Sequence, residues 1–354
     1  MKKVNLLFVI VIFLFTIQKS YSKTKLSIVK NIDLSHFNYV KHAPISYINK
    51  SNITISNLEI IGSNEDCIFL YKCHDIRISK NFCKNSSKIG IHVQDCYNIY
   101  IDSNLVTECH TGIELVRCTN NIKIFRNQLL NIVSPTLLKD GTGNSIEMFQ
   151  TNGSGLSIDS NVIEHTSTAK IDGVGNGAGD NIDILESNGT SDSPIKCYYN
   201  IIRGGGTYIL HDGRCGIGIG DVGGKYQDCE YNILVNTGWA GIQQAGGSYI
   251  NVSNNKIYSD NLPWSMVGLH SFITGSGVTA DHNVMKNNVI NWHKGYGGSA
   301  QGDVVYSSDH NNPEPEGFRT SNKLSAVIGP SILPKHIITF ITTEKFNSLI
   351  KESN

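Results

Sequence analysis

The chain has 354 residues, 30 basic and 30 acidic side chains, a formal net charge of zero, and only 17% charged residues alongside 34 glycines. A charge-balanced surface argues against nucleic acid or an anionic membrane as the main partner, since both demand basic patches. The length would allow two domains, but the composition runs without a break, so one repeat-built domain is the better reading.

Met1–Ser22 has the build of a secretory signal. Lys2 and Lys3 form its charged start, Leu6 to Ile17 its apolar run, and Ser20-Tyr21-Ser22 a small-x-small cleavage site. The run falls short of the roughly 20 residues of a spanning helix, and the rest of the chain holds no second apolar stretch. The mature protein is therefore expected to be secreted, periplasmic or at the cell surface, off the membrane and monomeric. Residues 23–50 are expected to cap the open edge of the repeat array, as solenoids require.

From 51 to 292 one phrase recurs. In Asn98 to Leu115 two short strands alternate apolar and polar residues, Ile99 and Ile101 before Asn104, then Ile113 and Leu115 after Gly112. The Asn returns as Asn57, Asn81, Asn104, Asn127, Asn161, Asn200, Asn232, Asn255 and Asn288, several of them about 23 residues apart. Such a period with apolar alternation signifies a solenoid. Each repeat reads as one coil of a parallel β-helix, with each Asn stacked on its counterpart and bonded to turn backbone. The nine cysteines fit the same scheme. Cys73, Cys96 and Cys118 recur at equivalent places, and Cys197 and Cys229 stand where other coils carry inward Ile78, Ile101, Ile124 and Ile158. Stacked core packing is expected, with a bridge such as Cys83–Cys109 as the alternative.

These tandem Asn-Ile-x-Ile-x-x-Asn-x-Ile and Gly-Ile-x-Leu units, from about Asn52 to Ile290, resemble the right-handed parallel β-helix repeat proteins of the pectate-lyase-like superfamily. The resemblance implies an all-β chain: a single-stranded right-handed parallel β-helix of roughly ten coils with terminal caps. It does not specify an activity, because lyases, hydrolases, epimerases and non-catalytic proteins share this scaffold.

Aligning the second strand of each coil with its Ile inward yields an outward column of Phe69, His92, Glu114, Glu147, Asp183, Gly218, Gln243 and His270. The next outward column reads Tyr71, Gln94, Val116, Phe149, Leu185, Gly220, Gln244 and Phe272. Three carboxylates on successive coils would stand about 4.8 Å apart, and like charges directly opposed on a sheet repel. A bound cation, a loop Arg or Lys, or a retained proton must compensate. Neighbouring coils approximate the ~5–5.5 Å carboxyl spacing of retaining glycosidases, while Glu114 and Asp183 lie near the upper end of the ~6.5–9.5 Å inverting range. The bland alternative is a solvated polar column.

The longer coils add Gly-rich insertions at 131–144, 166–180, 204–215 and 259–267, just before these strands, and these are expected to wall a cleft. In a hydrolase, two of Glu114, Glu147 and Asp183 would serve as acid and base or nucleophile. In a lyase, Glu147 and Asp183 would hold Ca²⁺ and Arg203, Arg214 or Lys170 would abstract the proton. His92, Phe149, Lys170, Asp212, Asp221, Gln243 and His270 are the expected substrate contacts. No organic cofactor is expected. Gly179-Asp180-Asn181 before the Gly-rich strand ending at Asp221 is loosely similar to the polygalacturonase pattern, but Asn181 and Arg214-Cys215 depart from it and no Arg-x-Lys appears in register. The expected function is binding and cleavage of an acidic or neutral polysaccharide. The alternative is a non-catalytic glycan-binding or structural surface solenoid.

After Ile290 the repeat fades. Residues 293–354 read as a surface segment and cap, with a short helix starting near Thr342–Thr343.

Overall fold

A computed structural model describes residues 39–132, 143–165, 179–205, 215–260, 262–273, 277–295, 302, 304–306, 313–324 and 328–338. All lie in the second of two units, Asp33–Asn354; the first, Met1–Ile32, falls outside the described residues. So do the signal segment and the helix expected near Thr342–Thr343. Among the described residues no helix is long and apolar enough to cross a membrane.

The fold is a parallel β-helix. Strands pair in parallel with the strand one coil away, forming a 19-stranded and a 9-stranded sheet. In the nine-stranded sheet one inward column reads Ile55, Ile78, Ile101, Ile124, Ile158, Cys197, Cys229, Val252 and Met285. The 19-stranded sheet carries two faces, joined where Phe82–Gln94 and Leu105–Val116 run around the corner as single long strands. One of these faces stacks Ile68, Ile91, Ile113, Ile146, Ile182, Ile217, Ile242 and Leu269 inward. All nine cysteines are buried free thiols, so the core-packing expectation holds and the Cys83–Cys109 bridge is not formed.

The asparagines hold the turns. The Oδ1 of Asn104 accepts from both the backbone N–H and the Nδ2 of Asn81, each at 3.0 Å, while its own Nδ2 reaches the Ile78 carbonyl at 2.9 Å. The same pattern passes through Asn127, Asn161, Asn200, Asn232, Asn255 and Asn288. It continues to Asn322, beyond the point where the sequence repeat fades. Asn57 is not a member: Leu58 stands at the ladder position, donating its N–H to Asn81 Oδ1, and Asn57 takes the left-handed turn before it. Every other ladder Asn but Asn322 likewise comes after a left-handed residue, among them Lys80, Ser103, Arg126 and Ser160. Such backbone persists only when its surroundings over-determine it, and the buried amide ladder does so.

At another corner, thiols and hydroxyls replace the amides. The N–H of Cys73 points to Cys96 Sγ at 3.1 Å, that of Cys118 to Thr151 Oγ1, and that of Thr151 to Ser187 Oγ. Cys73 and Cys96 thus accept turn N–H groups, and the Cys118 thiol donates to the Val93 carbonyl, while all three fill core.

Candidate functional site

Parallel register brings the acidic column together. Phe69, His92, Glu114, Glu147, Asp183, Gly218, Gln243 and His270 are paired in that order on consecutive coils. The alternation that buries the isoleucines on either side necessarily points these residues away from the core.

The neighbouring column departs from the sequence alignment in two places. Gly220 has φ +66° and forms a bulge, so Asp221 rather than Gly220 stands beside Leu185. Gln244 pairs with inward Ile219 and is fully buried, accepting the Ser271 hydroxyl at 2.7 Å and donating to the Gly246 carbonyl. Phe149 does stand outward in line with Val116 and Leu185, forming an apolar strip beside the acids.

Turn residues complete the site. Asn144 donates to Glu147 Oε2 at 2.9 Å and lies 3.5 Å from Asp183 Oδ2, while its Oδ1 accepts the Asp180 N–H at 2.8 Å. Asp180 in turn accepts the Cys215 N–H. A side chain at Gly218 would meet Asp183 Oδ1 at 3.0 Å and Asp180 Oδ2 at 3.2 Å, so glycine there lets two carboxylates converge. At one end His92 lies between Asp66 and Glu114, 2.9 Å from Asp66 Oδ2 and 3.3 Å from Glu114 Oε2. At the other end His270 stacks on Phe272 with centroids 4.3 Å apart and meets Trp239 edge-on.

The electrostatics reflect this crowding. Burial raises Glu114 above the ordinary carboxylate range; the His92 charge opposes the rise and Asp66 adds to it. Burial also raises Glu147, with the Glu114 charge reinforcing it and the Asn144 hydrogen bond opposing it. Asp183 is pushed furthest, well above its usual range, by burial and then by the charges of Asp180, Asp221 and Glu147. It is 6% exposed, and its Oδ1 has no hydrogen-bond partner. Burial and the neighbouring charges both act to hold a proton on Asp183, one of the three ways to relieve like-charge repulsion. Among the described residues no group of three or more His, Cys, Asp and Glu is arranged to hold a metal ion.

Arg203 is not in the column. It lies on the other face of the large sheet, paired with Glu164 and Val235, and its Nη2 donates to the carbonyls of Pro330 and Leu333. The expectation of a proton-abstracting Arg203 is thereby corrected: the guanidinium fastens the C-terminal segment. Lys170, Asp212 and Arg214 lie outside the described residues. The sequence reading missed Asp66, Asn144 and Trp239, which occupy turns or strand ends where alternation gives no signal, while Asp180 was singled out within Gly179-Asp180-Asn181.

No match to a curated protein or to a solved structure was found. Residues 25–190, which include Asp66, His92, Glu114, Glu147 and Asp183, are similar to the family described as Periplasmic copper-binding protein (NosD).

Proposed function

We propose that the chain is an exported protein that cleaves a polysaccharide by hydrolysis along the acidic column. The observation carrying this reading is the stacked trio itself: Glu114, Glu147 and Asp183 in register, with Asp183 holding a buried, unpartnered oxygen beside Gly218. A carboxyl raised well above its usual range holds its proton to higher pH than an ordinary carboxyl and is suited to protonating a glycosidic oxygen. Asp183 is accordingly the general acid. Glu114, two coils away and so about 9.6 Å along the stack, is the base that activates water, near the upper end of the inverting range. Glu147 and Asn144, between them, bind sugar hydroxyls, and the Val116–Phe149–Leu185 strip meets the apolar face of a sugar ring. Gln243 and His270 extend the contacts toward later coils.

Hydrolysis is preferred here over elimination because burial raises the column carboxyls, while Arg203, one of the three expected bases, donates to the Pro330 and Leu333 carbonyls. The similar family's description names copper binding; the hydrolytic reading uses protein groups alone. That description also says periplasmic, which supports export through the Met1–Ser22 segment.

The test is a screen of the purified mature protein against pectin, alginate, glycosaminoglycans and neutral glycans, with calcium and with chelator. New reducing ends of inverted anomeric configuration, without ultraviolet absorbance and indifferent to chelator, are expected. Unsaturated ends would mean a lyase, and silence alongside retained glycan binding would favour the non-catalytic alternative.

A further inference from the structure

The hydrolytic reading leaves Glu114 with a proton taken from water, and the residues behind it suggest where that proton goes. His92 stands between two carboxylates on adjoining coils, its ring tilted against Phe69 at 4.8 Å. Asp66 is fixed from the backbone side, since its Oδ1 accepts the Ile89 N–H at 3.0 Å, leaving Oδ2 aimed at His92 Nδ1 at 2.9 Å. Both ring nitrogens face carboxylates, which only accept, but only the Nδ1 contact has hydrogen-bond geometry, so the single hydrogen of a neutral ring is assigned to Nδ1. The other nitrogen, Nε2, is buried and faces Glu114 Oε2 at 3.3 Å, within ion-pair reach but off the line of a hydrogen bond. Such contacts in a substrate-free site tighten when the complex forms.

Resting on the hydrolytic reading, we infer that Asp66 is a positioning residue that holds His92 with its hydrogen on Nδ1, so that Nε2 takes the proton from Glu114 after each attack by water. The balance is simple. Water loses a proton to Glu114 as its oxygen bonds the anomeric carbon, and the Glu114 O–H then breaks as an N–H forms on Nε2. The resulting imidazolium sits against the Asp66 carboxylate and returns its proton to solvent. The groups facing His92 are Asp66 and Glu114, with Glu147 the next carboxylate along the column.

The experiment is nitrogen-15 NMR of the His92 ring in the mature chain, at a pH where the ring is neutral, for the parent and for Asp66→Asn. Asn preserves the acceptor for Ile89 and replaces Oδ2 with an amide donor. The parent should show a pyrrole-like Nδ1 and a pyridine-like Nε2, and D66N should invert the two. In turnover, D66N should lower kcat about tenfold or more with KM unchanged, shifting the acidic limb of the pH profile, where groups that act unprotonated are read. An Nε2–H ring in the parent, or no change in D66N, would overturn the inference. The tautomer needs no substrate, so a silent glycan screen with the Nδ1–H ring present would remove the hydrolytic reading and leave the positioning by Asp66 standing.

Discussion

At the scale of single residues, the site is a set of carboxyls whose burial differs more than their chemistry. Asp183 is the extreme case, hemmed by Asp180, Asp221 and Glu147 and raised well above its usual range. A carboxyl raised in the folded state holds its proton more tightly there than in the unfolded chain. Its cost to stability is absent below the unfolded value of about 3.9 and grows as pH climbs from there toward the folded value. Asp183→Asn cannot ionise. It should match the parent's stability below about pH 4 and exceed it at neutral pH, the gap widening by about 1.4 kcal/mol per pH unit across that window. Denaturant unfolding over a pH series reads this directly; a constant offset at every pH would contradict it. The same variant should lose turnover, as should Glu114→Gln, each by about 10²–10⁴-fold where a proton transfer is removed, assayed on whichever glycan the screen identifies.

At the scale of the element, the turn ladder carries the coil. Asn161 accepts from the backbone and side-chain amides of Asn127 and donates to the Ile124 carbonyl and to Asn200. Asn161→Ala leaves several of these buried groups unmatched, and each costs about 1–3 kcal/mol. A loss on the order of 3 kcal/mol or more is expected in chemical denaturation. Asn57→Ala, outside the ladder, should lose only about 1 kcal/mol for its left-handed backbone. Equal losses would contradict the ladder's role. The ladder Asn was legible because its period is that of the coil, and Asn57 was misassigned because an Asn also favours the left-handed residue just before the ladder. The acidic column was legible for the related reason that alternation with buried isoleucines determines which residues face outward. Gln244 and Gly220 broke the alignment because a bulge and a buried amide obey local geometry rather than period.

At the scale of the whole described unit, the C-terminal segment binds back onto earlier coils. Leu333, Ile337 and Ile338 cover a strip of Leu130, Val162, Ile201, Ile233, Val235 and Tyr258. The fully buried Glu164 anchors them, accepting the N–H groups of Ile337 and Ile338 at 3.0 and 2.7 Å, with His336 beside it. This contact joins residues 172 apart in the chain, and no local pattern in the sequence announces it. Arg203, read from sequence as a base, is part of the same fastening. Arg203→Ala should therefore leave glycan turnover unchanged while exposing residues 328–338 to proteolysis, at a stability cost of about 1.5–3 kcal/mol for hydrogen bonds from a charged donor. Lost turnover with an intact segment would contradict that assignment. Whether the acidic column keeps a proton on Asp183 for catalysis is decided by carbon-13 NMR titration of the column's Asp and Glu carboxyls in the mature protein. Asp183 should titrate well above its reference of about 3.9, and the signal should disappear in Asp183→Asn. Titration of all three column carboxyls near about 3.9–4.3 would contradict a retained proton and, with it, the role of Asp183 as general acid.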